Sequence, residues 1–284
     1  MIDIENLDFT YKASGKHAIK SIDFHIDKGE IFGFLGPSGA GKTTTQHLII
    51  GLNQGYSGKI TIMGKERSAW NKAFYEHIGV AFDFPNLYLK LTGEENLKLI
   101  ASYYKKCDVD FDGLFEKVGL SSDKKTKVES YSKGMKMRLN FIRSVMHDPS
   151  ILFFDEPTSG LDPVNAKIIK DTILDLKQRG KTIFLTTHNM TVARQLCDRV
   201  AFMNEGEIVA TDSPQNLMID NGKSLVDITY MDENKRETVT FDLESIGNNQ
   251  KFERLLKTKT ILTMHSKEAT LEDVFIKYTG RKLS

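Results

Sequence analysis

Gly36-Pro37-Ser38-Gly39-Ala40-Gly41-Lys42-Thr43, continued by Thr44, decides how this chain folds. The apolar run Ile31-Phe32-Gly33-Phe34-Leu35 precedes it, and a segment of helical character follows from Lys42 to Ile50, stopping at Gly51. The order is strand, glycine-rich turn, helix, and the spacing fits G-x-x-x-x-G-K-[ST]. The glycines let successive backbone N–H groups turn inward on a phosphate, and the helix N-terminus adds the positive end of its dipole. In such a loop Lys42 reaches the β- and γ-phosphates, and the Thr43 hydroxyl is a magnesium ligand. The loop predicts a bound nucleoside triphosphate without saying which one or for what purpose.

Farther along, Ile151-Leu152-Phe153-Phe154-Asp155-Glu156 is an apolar strand that ends in two acids. So much apolar surface buries both faces of a strand, and the acids emerge at its C-terminal edge, where ligands of open α/β sheets sit. There Asp155 is placed to hold magnesium, and Glu156 to orient and deprotonate an attacking water. Taken alone, two acids closing a strand are as often a polar strand end as a site.

Around these two segments the chain reads as an α/β protein. Strands are expected near 2–9 and 19–26, and helical spacing runs from about Leu91 to His147. Strand 151–154, helix 166–178, strand 182–186 and helix 190–197 follow, then a hairpin of 200–203 and 208–210 around Glu205-Gly206. Alternating strands and helices predict a largely parallel sheet with covered faces. After Asp212-Ser213-Pro214 the pattern changes. A second hairpin of 225–230 and 238–241 flanks Asp232-Glu233-Asn234, then come a helix near 252–256, a strand near 260–264 and a last helix over 271–278. Thr270 is the expected N-cap of that helix, with Asp273 at the capping-box position. The expected domains are 1–215, with a helical part over about 88–148, and an α+β appendage over 216–284.

Composition removes several classes. With 39 Lys and Arg against 38 Asp and Glu, the net charge of +1 excludes a polyanion binder held by bulk charge. No apolar stretch approaches the ~18 residues that span a bilayer, and Met1-Ile2-Asp3-Ile4-Glu5 is acidic where a secretory signal would be basic. Two cysteines, Cys107 and Cys197, build neither a disulfide framework nor a zinc site. The seven histidines form no ligand cluster apart from the role considered next for His188.

Over residues 1 to about 215 the chain resembles the nucleotide-binding subunits of ATP-binding-cassette (ABC) transporters, with several motifs in the right order. The resemblance implies the P-loop cassette fold, with a mixed β core and an α-helical signature subdomain. It implies ATP and Mg2+ as cofactors and the following roles. Tyr11 stands where an aromatic stacks on adenine, Gly36 to Thr44 is similar to Walker A, and 151–156 is similar to Walker B with its catalytic Glu156. Ser159-Gly160-Leu161-Asp162 resembles the D-loop, and His188 the switch histidine on the γ-phosphate. Tyr131-Ser132-Lys133-Gly134-Met135 stands at the signature, where Leu-Ser-Gly-Gly-Gln is usual. Lys133 and Met135 depart from that pattern, while Ser132 and Gly134, which would meet the partner's γ-phosphate, remain. Asp83 stands where the Q-loop glutamine is usual. Either its carboxylate joins Thr43 and Asp155 on the metal, or its shorter side chain falls short, is repelled by the triphosphate and serves the permease interface. The second outcome is the one expected.

The segments 84–100 and 269–281 resemble bacterial ABC-2 type exporter subunits. They imply an ATP-hydrolysing subunit that energises a separate transmembrane permease, exporting a drug, antibiotic peptide or lipid. It would pair with a second ATP-binding subunit as a homodimer, lie on the inner face of the cell membrane through the permease, and receive a permease helix in a groove near 83–90. The alternative is a soluble ABC ATPase acting on nucleic acid or ribosomes. No coiled coil interrupts 42–155 and only one cassette is present, which argues against that alternative and against direct nucleic-acid binding. The appendage carries no phosphate loop and no acid–histidine constellation, so its expected role is to stabilise the dimer or regulate closure.

Overall fold

A computed structural model describes residues 1–105, 109–222, 224–233, 235–267 and 269–280. Cys107, Asn234 of the expected hairpin turn and Arg281 of the exporter-like tail lie outside the described residues. The chain divides into two compact units, one spanning Met1–Ser213 and one beginning at Pro214.

In chain order the first unit runs β1 (Ile2–Thr10), β2 (His17–Ile26), β3 (Ile31–Leu35), α1 (Lys42–Ile50), β4 (Ser57–Ile62), β5 (Lys65–Glu66), β6 (Ile78–Ala81), α2 (Gly93–Ala101), α3 (Phe111–Lys117) and α4 (Lys133–Val145). It continues with β7 (Ile151–Asp155), α5 (Pro163–Gln178), β8 (Thr182–Thr187), α6 (Met190–Leu196), β9 (Arg199–Asn204) and β10 (Glu207–Asp212). Two sheets result. One is antiparallel, in the order β2-β1-β4-β5; the other has six strands in the order β10-β9-β3-β8-β7-β6. In the second, β6, β7, β8, β3 and β9 are parallel and β10 closes the edge antiparallel. Only this sheet is largely parallel, so the expected α/β order holds for one layer and the antiparallel layer is an addition. A shared core packs between them. Phe34 lies 4.9 Å from Phe24 and 5.1 Å from Phe184, ring centre to ring centre, and all three rings are buried.

Register brings the functional loops together. Leu35 pairs with Thr187, and Asp155 pairs with Thr186. The C-terminal ends of β3, β8 and β7 therefore form one row, and the segments that follow them open at one edge of the sheet. Gly36 sits at that row where no side chain fits, because a Cβ there would fall 2.1 Å from the Met203 carbonyl oxygen.

Several boundaries differ from the sequence expectations for local reasons. Helix α5 begins at Pro163, three residues before the expected 166, because the Asp162 side chain accepts from the N–H groups of Val164 and Asn165 and proline suits the first helical position. Helix α6 ends at Leu196 with extended backbone at Cys197. Strand β6 and helix α3 are too short to leave a clear period in the sequence.

The second unit contains α7 (Pro214–Asp220), β11 (Leu225–Asp232), β12 (Lys235–Asp242), α8 (Gln250–Thr258), β13 (Thr260–Ser266) and α9 (Leu271–Thr279). Its antiparallel sheet has the order β12-β11-β13. Val226, Ile228, Phe241 and Leu255 form its small core, with Phe252 packed against them. Helix α7 occupies a segment that reads as a turn, since Ser213-Pro214 is a helix entry as readily as a breaker. The Thr270 capping box on α9 forms with Asp273.

Candidate functional site

Among the described residues, seven helices carry side-chain caps at their N-termini: α2 by Thr92, α3 by Asp110, α4 by Ser132, α5 by Asp162, α6 by Asn189, α8 by Asn249 and α9 by Thr270. Helix α1 departs from that pattern. Its N-cap is Gly41, at φ 115°, with no side-chain hydrogen bond. The free N–H groups of its first turn open onto the glycine loop, which is the arrangement that binds an anion.

Around that helix end lies a cleft of about 310 Å³, lined by Tyr11, Lys42, Thr43, Asp83, Asp155 and Glu156 among others, including Ser38, Gly39, Gly41, Thr44, Ser159 and His188. The loop supplies the rest of Walker A differently. The carbonyls of Gly36 and Pro37 accept from the Lys42 ammonium at 2.7 and 3.0 Å, and Ala40 is buried beneath the loop. Burial pushes the Lys42 pKa down, while Glu156 and Asp155 oppose that shift. The two carboxylates offset part of the cost of keeping that cation out of water.

The acid end of β7 is held from β8. Asp155 is buried; Thr43 donates to its Oδ2 at 3.3 Å and Thr186 donates to its Oδ1. Glu156 has φ +49°, a left-handed conformation costly for a residue with a side chain and concentrated at functional sites. Its Oε2 accepts from the Thr187 hydroxyl at 2.9 Å. Its Oε1 accepts from the His188 backbone N–H at 2.8 Å and meets His188 Nδ1 at 2.6 Å. The imidazole remains largely exposed. Sequence reasoning passed over Thr186 and Thr187, whose signal was their position immediately before His188 on a strand that flanks both loops. Tyr11 packs edge-on against Phe9 at 4.9 Å, and its hydroxyl lies 3.0 Å from the Thr44 hydroxyl. Burial pushes the His47 pKa down, with Asp155 opposing.

Asp83 stands on the wall of this cleft with Thr43 and Asp155. Hydroxyl and carboxylate oxygens are hard donors of the kind magnesium takes together with substrate phosphates. Among the described residues no group of three or more His, Cys, Asp or Glu could hold a metal alone. A metal here would therefore share its shell with hydroxyl and phosphate oxygens.

Besides Gly36, Pro37 and Ala40 of the loop, three sequence-predicted residues do not line this cleft. Ser132 caps α4, accepting from the Met135 N–H at 3.2 Å. Gly134 lies in the first turn of α4, close to Leu161. The Asp162 carboxylate caps α5.

A second concavity, of about 1010 Å³, is lined by Tyr75, Val80, Ile100, Tyr103, Tyr104 and Arg143 with their neighbours. It draws no lining residue from 83–90, the stretch expected to border a groove for a permease helix. Phe84, Tyr88 and Leu89 instead stand exposed on the surface. No helix among the described residues is long and apolar enough to cross a membrane.

Comparisons with known proteins agree with this geometry. The ABC transporter family profile matches residues 19–159, and the profile of the fluoroquinolone efflux ABC transporter C-terminal domain matches 224–268. A fluoroquinolones export ATP-binding protein of Mycobacterium tuberculosis is 49% identical over 285 residues, covering 100% of this chain and 95% of the relative. A Nod factor export ATP-binding protein I of Rhizobium etli is 32% identical over 299 residues, covering 99% of this chain and 94% of that one. Among solved structures, an ATP-binding subunit of an ABC transporter superposes with a TM-score of 0.71 at 26% identity, over 78% of this chain and 92% of that one. An ATP-binding cassette in a dimeric post-hydrolysis state, bound to ADP and Pi, gives 0.67 at 25% identity, over 75% and 98%.

Proposed function

This chain belongs to the ATP-binding subunits of ABC transporters, and on that premise we propose that it powers export of a fluoroquinolone-like drug through a separate permease. The observation that carries the enzymatic part is the uncapped N-terminus of α1 opening onto a cleft with Lys42, Asp155 and Glu156. The drug cargo rests on similarity along the whole chain, C-terminal unit included, to a fluoroquinolones export ATP-binding protein. The cargo itself would meet the permease and not this chain.

In this reading the N–H groups of Ser38 to Thr43 and the Lys42 ammonium hold the β- and γ-phosphates, and Tyr11 takes the adenine. Magnesium, held by Thr43 and Asp155 with Asp83 beside them, would spread the negative charge of the β- and γ-phosphates. Glu156 accepts the proton of a water whose oxygen attacks the γ-phosphorus. The bond to the bridging oxygen breaks, and ADP leaves with the electron pair. The exposed His188 ring gives up its contact with Glu156 and turns to the γ-phosphate, freeing one carboxylate oxygen for that proton.

ABC ATPase subunits dimerise and partner permeases, and a similar cassette is dimeric with ADP and Pi. Here Ser132 and Gly134 would serve the ATP of a second copy, which fits their place away from their own chain's cleft. The aromatic groove would seat a helix of the permease, and through it the protein would lie on the inner face of the membrane. Residues 1–215 would form the motor and 216–284 a non-catalytic unit that stabilises the dimer.

The test is fluoroquinolone movement into inside-out vesicles carrying the permease with this chain. ATP-dependent uptake that vanishes with Glu156→Gln supports the proposal. Uptake that is equal with parent and variant refutes it.

A further inference from the structure

The segment between β6 and α2 carries Asp83 to the nucleotide cleft, and two side chains of α4 fasten it on either side of that residue. Asn140 is fully buried and donates from Nδ2 to the Phe82 carbonyl at 2.8 Å. Arg143 donates from Nη1 to the Asn86 carbonyl at 2.6 Å and from Nη2 to Asn140 Oδ1 at 2.5 Å. The Asn140 amide is thus used at both ends, and its orientation follows from its partners. The three bonds close a ring through Phe82, Asp83 and Asn86 back to α4.

This fastening is more than a loop needs. Neutral bonds from serine or threonine hold turns elsewhere in proteins, whereas a guanidinium withdrawn from water carries a desolvation cost. The planar fork of arginine gives something in return, because it fixes two acceptors in one geometry. Arg143 also forms part of the wall of the aromatic groove, beside Tyr104. One side chain therefore touches the groove directly and the cleft through a single buried amide.

We propose that Arg143 is a positioning residue that, with Asn140, sets the place of Asp83 on the nucleotide cleft. The inference rests on the reading of the cleft as a MgATP site with Asp83 beside the metal. Asp83 reaches the cleft only as far as its loop allows, and the carbonyls on both sides of it are held from α4. Loss of the guanidinium releases the Asn86 carbonyl directly and removes the bond that orients the Asn140 amide on the Phe82 carbonyl.

A double-mutant cycle on the full-length chain tests this, with ATP affinity measured by calorimetry with and without magnesium. Arg143→Gln is expected to weaken MgATP about tenfold, at the lower end of what loss of residues supporting metal ligands costs. It should leave metal-free ATP within about twofold of parent on the same scale. In the Asp83→Ala background the further loss should fall below about twofold, since the residue being positioned is gone. Arg143→Lys keeps the charge but loses the fork, and should behave like Arg143→Gln. Asn140→Asp keeps the volume and the acceptor facing Arg143 but removes the donor to Phe82. It guards against misfolding of the arginine variants, and should show the same magnesium-dependent loss.

Equal losses with and without Asp83 overturn the proposal, as does rescue by lysine or parent-like MgATP binding by Asn140→Asp. A parent chain that binds ATP equally well with and without magnesium refutes the metal reading of the cleft, and the proposal falls with it. That outcome is recognisable before any variant is made.

Discussion

The two units of this protein bury different things. Among the described residues, every buried polar or charged side chain lies in the first unit, including Lys42, Asn140, Asp155, Thr186 and Thr187. The buried side chains of the second unit are apolar throughout: Leu217, Met218, Val226, Ile228, Phe241, Leu255, Leu271, Val274 and Phe275. A buried polar group must find partners or destabilise the fold, so a core that keeps many of them does so for a chemical task. A core built only of hydrocarbon specifies shape. The contrast marks the first unit as the one whose interior holds the groups chemistry needs, without appeal to any motif.

The sharpest way to break this contrast is Glu156→Gln. The amide still accepts and donates hydrogen bonds but cannot take a proton, so ATP turnover should fall roughly 10²–10⁴-fold. MgATP binding should survive, and the closed dimer should accumulate in light scattering. Turnover at the parent rate would place the base elsewhere.

Next in size is a lesion confined to the second unit. Ile228 is wholly buried in its small core, and Ile228→Ala should destabilise that unit by about 2–5 kcal/mol. Calorimetry should show one transition lowered, while ATP affinity stays at the parent value. A fall in affinity would mean that the second unit supports the cleft.

Packing inside the cassette gives a smaller effect. A Cβ on Gly33 would fall 2.6 Å from the Cys197 sulfur, so Gly33→Ala forces β3 away from the residue that follows α6 and should cost about 1–3 kcal/mol. The companion variant Gly247→Ala in the second unit meets nothing within 4 Å. It should leave stability nearly unchanged, and comparable losses from both would erase the contrast.

The smallest expected effect is a pH dependence. His147 stacks on Tyr104 at 3.8 Å, its Nε2 lies 2.9 Å from the Ile78 carbonyl oxygen, and burial holds its pKa below the ordinary histidine value. The unfolded chain therefore takes up the proton first. The stability His147 contributes is present above about pH 6.5 and is lost as pH falls from there toward its lowered folded pKa. Denaturant midpoints of the cassette transition should decline with acid over that window, and His147→Gln should flatten the decline. An unchanged slope would assign the acid sensitivity to other groups.

How far the sequence carried the site depends on the distance between the residues involved. Gly36 to Thr43 is legible because phosphate binding is local: a glycine turn, a helix start and one lysine within eight positions. Thr186 and Thr187 were not legible, since they matter only through the pairing of β8 with β3 and β7. Asp83 was visible as a departure from a family pattern, and the side it would face was not. The wall of the aromatic groove was equally hidden, because Tyr75, Val80, Tyr104 and Arg143 come from segments far apart in the chain.

What the sequence determined by itself is the set of groups available: a glycine loop and lysine suited to a nucleoside triphosphate, hard oxygen donors, and an acid at the end of an apolar strand. Those follow from residue types at short spacing, which the chain cannot alter by folding. The tertiary structure alone decided which atoms meet. It gave Glu156 its three partners from Thr187 and His188, and left α1 as a helix without a side-chain cap. It tied the segment that carries Asp83 to α4 through the Phe82 and Asn86 carbonyls. Each of these depends on strand register or helix packing between residues far apart in the chain, and such contacts are fixed by burial of the whole core rather than by any local pattern.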